Sequence, residues 1–120
     1  MFDPIVIDEV WNRAREIEGY DRNLYRKDAC GAWIIKDKYG DTNNAYGWEI
    51  DHIYPQSMGG KDDIANLRAL QWENNKSKGD DYPQYKAVVT AEGVRNINKE
   101  QWLTVNANTQ SIISELYKIQ

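Results

Sequence analysis

The chain has 120 residues, of which 41% are hydrophobic, and this is enough for one domain with a buried core. Its net charge of −4 and its pI near 5.0 argue against a protein that coats nucleic acids through many phosphate contacts. No run of about 18 apolar residues occurs and the first residues lack the pattern of a secretory signal, so we expect neither a membrane span nor export.

Cysteine and histidine are unusually scarce in this sequence. Cys30 is the only cysteine and His52 the only histidine. One cysteine cannot form an internal disulfide, and one of each residue cannot complete a usual tetrahedral zinc site. We therefore expect a cytoplasmic, reduced setting and no structural zinc.

In the first third of the chain the spacing of apolar residues predicts a helix over 8–18, which Gly19 would end. The charged and aromatic stretch 20–28 is a candidate for a short second helix. Residues 32–35 favour a short strand, and 39–44 have the composition of a turn.

The middle third predicts strand, loop, strand and helix in that order. Residues 48–53 and 67–72 have strand character, and the loop over 55–63 contains a proline and two glycines. A helix is predicted over 73–78, because Gly79 is a typical helix-ending residue.

The last third favours strands or short helices over 85–91 and 101–105, followed by a helix to Tyr117 that Asn108 or Thr109 would cap. Four apolar residues share one face of that helix: Ile112, Ile113, Leu116 and Tyr117. We predict an α+β fold with one domain over 1–120, in which flanking helices near 8–18 and 108–118 brace a core near 48–80. Five tryptophans should help this packing, with base stacking by an exposed aromatic as the alternative: Trp11, Trp33, Trp48, Trp72 and Trp102.

The most informative motif lies in the core segment. It begins Glu49-Ile50-Asp51-His52, with Gly59-Gly60 seven residues on, continues with Asn66-Leu67, and ends Asn75-Lys76-Ser77-Lys78-Gly79. This pattern resembles the HNH endonuclease signature in the variant where asparagine replaces the last histidine. The family's usual flanking zinc-binding cysteine pairs are absent here.

The resemblance implies a ββα-metal finger and a role for each motif residue. It implies that His52 is the general base, that Asp51 and Asn75 are the metal ligands, and that Asn66 fixes the loop beside the base. Asn74 is the alternative to Asn75. Glu49 shares a strand face with Asp51. It could therefore bind the metal through a water molecule, or its side chain could simply face the solvent.

The chemistry of phosphodiester hydrolysis suits these residue types. An imidazole can accept a proton from water near neutral pH. Mg²⁺ typically takes one or two protein oxygens and keeps its other positions for water and substrate phosphates. We therefore expect Mg²⁺ as the divalent cofactor, for which Mn²⁺ can substitute.

Two groups of basic residues could contact phosphates or could be ordinary surface. The motif supplies Lys61 and, as candidate substrate contacts, Arg68, Lys76 and Lys78. The second group precedes the motif: Arg13, Arg15, Arg22, Arg26 and Lys27.

Taken together, the sequence predicts a metal-dependent HNH endonuclease that acts on DNA, with RNA as a further substrate class left open. One alternative is a nucleic-acid-binding module with weak or no catalysis. The other is the nuclease effector or toxin domain of a larger system, although the acidic net charge is unlike the basic charge of such toxins.

Overall fold

The structure is a computed structural model that describes residues 2–119, and in this range the chain is α+β, as predicted. It contains helices α1 (Pro4–Arg13), α2 (Trp72–Lys78) and α3 (Ala107–Tyr117). The six strands are β1 (Tyr25–Lys27), β2 (Trp33–Ile35), β3 (Trp48–His52), β4 (Leu67–Gln71), β5 (Gln84–Glu92) and β6 (Arg95–Thr104). Successive strands pair antiparallel in three two-stranded sheets. No helix in the described range is long and apolar enough to cross a membrane.

The β3–β4 hairpin followed by α2 forms the predicted ββα finger. Asp51 pairs with Arg68 and His52 with Leu67 across the hairpin. Gln71 caps α2, because its side-chain oxygen accepts from the backbone N–H groups of Glu73 and Asn74. Gly79 ends the helix with a φ of 52°, a conformation that favours glycine.

Two apolar cores enclose the finger, one on each side. The first joins α1 to the hairpin through Val10, Trp11, Trp48, Ile50 and Ala69. The second joins the hairpin to β5, β6 and α3, and its members include Ile53, Leu70, Tyr85, Val105 and Ile113. The flanking elements therefore brace the finger, as the sequence predicted.

Both flanking helices begin earlier than predicted. The boundary 8–18 for α1 is wrong because Asp3 caps the helix, Pro4 occupies its first turn, and Ala14 turns the chain into extended conformation. Arg15 then pairs with Lys27 in an isolated bridge. For α3 the cap is Asn106 rather than Asn108 or Thr109, since its side chain accepts from the N–H of Thr109.

Three further expectations are corrected. The stretch 20–28 contains β1 rather than a second helix, because residues 25–27 pair with β2. Trp102 does not pack in a core, since 73% of its surface is exposed on β6. On α3 only Ile113 is fully buried, and Ile112 and Leu116 remain largely exposed.

Candidate active site

His52 lies at the end of β3, and one carboxylate fixes its ring. Its Nε2 is 2.7 Å from Oδ1 of Asp62, and only 16% of the imidazole side chain is exposed. An ionised carboxylate can only accept, so in the neutral imidazole Nε2 carries the proton and donates to Asp62. The free lone pair is then on Nδ1, which is the nitrogen available to accept a proton.

Asp62 is held in place through its neighbours in the chain. Asn66 Nδ2 donates to the carbonyl of Lys61 at 3.1 Å, and the Tyr117 hydroxyl donates to Asp63 at 2.8 Å. The same hydroxyl accepts from the backbone N–H of Lys61 at 3.1 Å. Helix α3 therefore helps to position the loop that carries the partner of His52. Sequence reasoning missed Asp62, for which the only signal was an acidic pair in the predicted loop.

Asn66 is fully buried and closes the loop after β3. Its Oδ1 accepts from the N–H of Tyr54 at 2.7 Å, and its Nδ2 donates to the carbonyl of Tyr54 at 3.0 Å. Gly60 packs so closely here that an added Cβ would lie 1.8 Å from the Tyr54 carbonyl oxygen. These contacts fit the loop-fixing role that the sequence predicted for Asn66.

Asp51 is buried between two cations. Its Oδ2 accepts from Arg68 Nε at 3.0 Å and its Oδ1 lies 3.2 Å from Lys78 Nζ. Lys78 also donates to the His52 carbonyl at 3.2 Å. Burial lowers the pKa of Arg68, but the Asp51 carboxylate together with Tyr85 and Cys30 raises it by more, so it lies above its ordinary value.

These ion pairs decide which of the predicted substrate contacts are free to reach a phosphate. Lys78 has no exposed side-chain surface and Arg68 only 16%, since both reach inward to Asp51. The expectation that Lys78 faces a phosphate is therefore wrong for this arrangement. Lys76 is exposed on α2, as a phosphate contact requires.

Asn75 and Glu49 interact across the finger. Asn75 Nδ2 donates to Glu49 Oε1 at 3.3 Å. This turns the amide so that Oδ1 faces away from Glu49, and within residues 2–119 Oδ1 receives no hydrogen bond. Glu49 therefore acts here as an acceptor that orients Asn75.

Asn74 has a different environment from Asn75. It is fully buried, and its Oδ1 accepts from the N–H groups of Val88 and Val89 at 2.8 and 2.9 Å. Its Nδ2 donates to the Val89 carbonyl and to Asp28. All of its hydrogen-bonding capacity is used to join α2 to β5 and to Asp28.

Three of the predicted site residues meet in one place. Asp51, His52 and Asn75 line an open pocket of about 230 Å³, together with Pro55, Gln56 and Asp80. Asn66 is fully buried and does not line this pocket. A carboxylate, an imidazole and an amide therefore surround a single space that is open to solvent.

Comparison with known proteins agrees with this geometry. Residues 38–84 match the family model of HNH endonucleases. Residues 38–84 are therefore similar to an HNH endonuclease domain. The match spans the whole finger, and the family indicates nuclease activity in general. No curated protein and no solved structure matches the chain significantly.

The HNH finger offers few protein ligands to a cation. In residues 2–119 no group of three or more His, Cys, Asp or Glu side chains is arranged to hold a metal. The candidate donors are the Asp51 carboxylate, whose two oxygens also face Arg68 and Lys78, and the free Oδ1 of Asn75. This donor set fits Mg²⁺, which commonly takes one or two protein ligands and keeps several waters.

The adjacent asparagines give a prediction that separates structure from chemistry. Asn74→Ala is expected to lower the free energy of unfolding by about 2–4 kcal/mol, because it leaves buried polar groups of β5 and Asp28 without hydrogen-bond partners. Asn75→Ala should change stability by less than about 1 kcal/mol but strongly reduce nicking. Asn75→His should keep part of the activity and shift the preference towards Mn²⁺.

Urea unfolding and plasmid nicking of the three variants check this prediction. A stable, inactive Asn74→Ala protein beside an active Asn75→Ala protein would show that the ligand position is Asn74.

Proposed function

We propose that the chain is a divalent-metal-dependent HNH endonuclease that hydrolyses phosphodiester bonds in DNA. The observation that carries this proposal is the shared pocket of Asp51, His52 and Asn75 within a segment that matches the HNH endonuclease family. Asp51 and Asn75 would hold the cation. When bound, Mg²⁺ stabilises charge on the phosphate and on the leaving oxygen.

His52 is the general base in this proposal. Nδ1 accepts a proton from the attacking water, and the resulting imidazolium is stabilised by Asp62, which accepts from Nε2. Asn66 and Tyr117 act indirectly, because they hold the loop that carries Asp62. His52 is therefore the base, Asp62 orients it, and Asn66 and Tyr117 hold the loop in place.

Plasmid nicking tests the proposal directly. Supercoiled DNA is incubated with the full chain and Mg²⁺, Mn²⁺ or EDTA, and the nicked form is quantified. Metal-dependent nicking is expected. Binding without nicking under every metal condition would instead support the alternative of a catalytically weak nucleic-acid-binding module.

The finger is proposed to fold without structural zinc. A cysteine binds zinc as its thiolate, and burial raises the pKa of the Cys30 thiol to about 12, with nearby Asp28 adding to the shift. The two apolar cores supply the support that zinc provides in small isolated fingers.

Asp62→Asn tests the proposed partner of His52. The amide can present its NH₂ group to Nε2, which would favour the wrong tautomer and place the proton on Nδ1. We expect nicking to fall about tenfold or more, by analogy with the loss of other groups that orient a catalytic imidazole. Asp63→Asn is the matched control, because Asp63 does not contact His52. Nitrogen NMR of the imidazole should show the changed tautomer, and unchanged tautomer and activity would remove Asp62 from the mechanism.

A further inference from the structure

A second cavity lies beside β4 and shares no lining residue with the candidate active site. It is open, has a volume of about 350 Å³, and is formed where the end of α1 meets β1, β4 and the start of α3. Its polar lining consists of Arg13, Arg15, Lys27, Arg68, Asp28 and Asn106. A basic cavity in a protein with a net charge of −4 is a local feature that its overall charge does not reveal.

Most of the positive charge in this cavity is uncompensated. Arg13, Arg15 and Lys27 form no salt bridge with any side chain of residues 2–119. Arg68 uses Nε for Asp51, but its Nη2 is fully buried and has no partner in the same range. The Arg68 guanidinium lies over the Tyr85 ring, 5.0 Å from its centroid, so Nη2 is enclosed by protein and the positive charge open to the cavity comes from Arg13, Arg15 and Lys27.

The one carboxylate among the cavity's described lining residues is already satisfied. Asp28 Oδ1 accepts from the N–H groups of Cys30 and Ala32, while Oδ2 accepts from Gln71 and from Asn74. The side chain is buried and these donors direct it into the protein. Asp28 therefore does not neutralise the exposed arginines.

A buried arginine also fixes the shape of this cavity. Arg26 donates from Nη1 to the carbonyls of Asn12 and Ala14, both at 3.0 Å. These two carbonyls flank Arg13, and Ala14 precedes Arg15, so the end of α1 is held where both side chains reach the cavity. Asn106 adds the amino terminus of α3, an eleven-residue helix whose dipole favours an anion.

We propose that this cavity binds a phosphate group, and that in the working protein this is a backbone phosphate of the nucleic acid at a distance from the cleaved bond. Unpaired guanidinium and ammonium groups around a helix amino terminus recognise phosphate by charge and hydrogen bonding. Only the source of the phosphate rests on the proposed function. A free phosphate or phosphomonoester has the same chemistry and is distinguished by the test.

The test compares two double variants that each remove two positive charges from exposed side chains. Arg13→Gln/Arg15→Gln alters the cavity, and Arg95→Gln/Lys99→Gln alters β6, outside both cavities. The affinity for a short fluorescent DNA duplex is measured by anisotropy in EDTA, so that cleavage plays no part. The cavity variant should bind about tenfold more weakly, and its log–log salt slope should fall by about 1–2. The control should stay within about twofold.

A second arm uses inorganic phosphate and the wild-type chain. Phosphate should shift the backbone amide NMR signals of Ala14, Ala29 and Asn106, and the cavity variant should abolish these shifts. If that occurs while duplex affinity is unchanged, the site takes free phosphate or a phosphomonoester. Absence of phosphate shifts together with unchanged duplex affinity overturns the proposal. Plasmid nicking is measured separately. A protein that binds phosphate here but never nicks DNA would contradict the proposed nuclease function and leave the phosphate site supported.

Discussion

Replacing His52 with alanine is expected to lower the rate of DNA nicking by about 10²–10⁴-fold. The chain contains no other imidazole, so no second side chain of this type can take over the base role. In addition, the change leaves Asp62 without the ring that it orients. The measurement is the rate of conversion of supercoiled to nicked plasmid at saturating Mg²⁺.

The His52 variant is expected to stay folded, which makes the result interpretable. The ring contacts Asp62 and lies 5.7 Å from the ring of Phe2, while the apolar cores on both sides of the finger do not include it. Gln56→Ala is a matched control, since it removes another polar side chain from the same pocket and should change the rate by less than about threefold. Near-wild-type nicking by a folded His52→Ala protein would end the assignment of the base.

The finger could be predicted from sequence because its signals are local. Side chains alternate along residues 48–52, Pro55 and two glycines interrupt the chain, and Gly79 stops the helix. The motif also places Asp51 and His52 at the end of β3 and Asn75 within α2. Their convergence on one pocket follows from the ββα geometry once each element is correctly placed.

The elements outside the finger were harder to predict because their limits depend on partners far away in the chain. Residues 25–27 become a strand only because they pair with residues 33–35. The start of α1 depends on the cap at Asp3, which competes with the apolar spacing that suggested 8–18. At α3 the sequence favoured Asn108 or Thr109 as the cap, whereas in the fold the cap is Asn106.

The largest error in the site concerned buried charge. A lysine next to a glycine at the end of a helix is usually exposed, so nothing in the sequence indicated that Lys78 is enclosed with Asp51. The partner of His52 was missed for a similar reason, since Asp62 reaches the ring only when Asn66 and Tyr117 fold the loop. Both features depend on tertiary contacts that have no periodic signal.

The buried position of Asp51 gives the second large prediction. Asp51→Ala should abolish nicking, because it removes the only charged ligand in the proposed metal site. It should also lower the free energy of unfolding by about 3–5 kcal/mol, because the change leaves Lys78 and Arg68 with buried charges and no carboxylate. Urea unfolding and nicking assays measure the two effects. Glu92→Ala is the control, since it removes an exposed carboxylate on β5 that does not line the pocket.

A double variant separates the two roles of this carboxylate. Asp51→Ala/Lys78→Met removes one buried cation with its partner, and replacement of a buried ion pair by apolar groups is often nearly neutral. We therefore expect it to recover part of the lost stability, since Arg68 still lacks its carboxylate, and this recovery is measured as a coupling between the two sites in a double-mutant cycle. Nicking should remain absent, because the ligand has not been restored. If the double variant nicks DNA at the wild-type rate, Asp51 is only a counter-ion for Lys78 and Arg68, and the cation must be held by other residues.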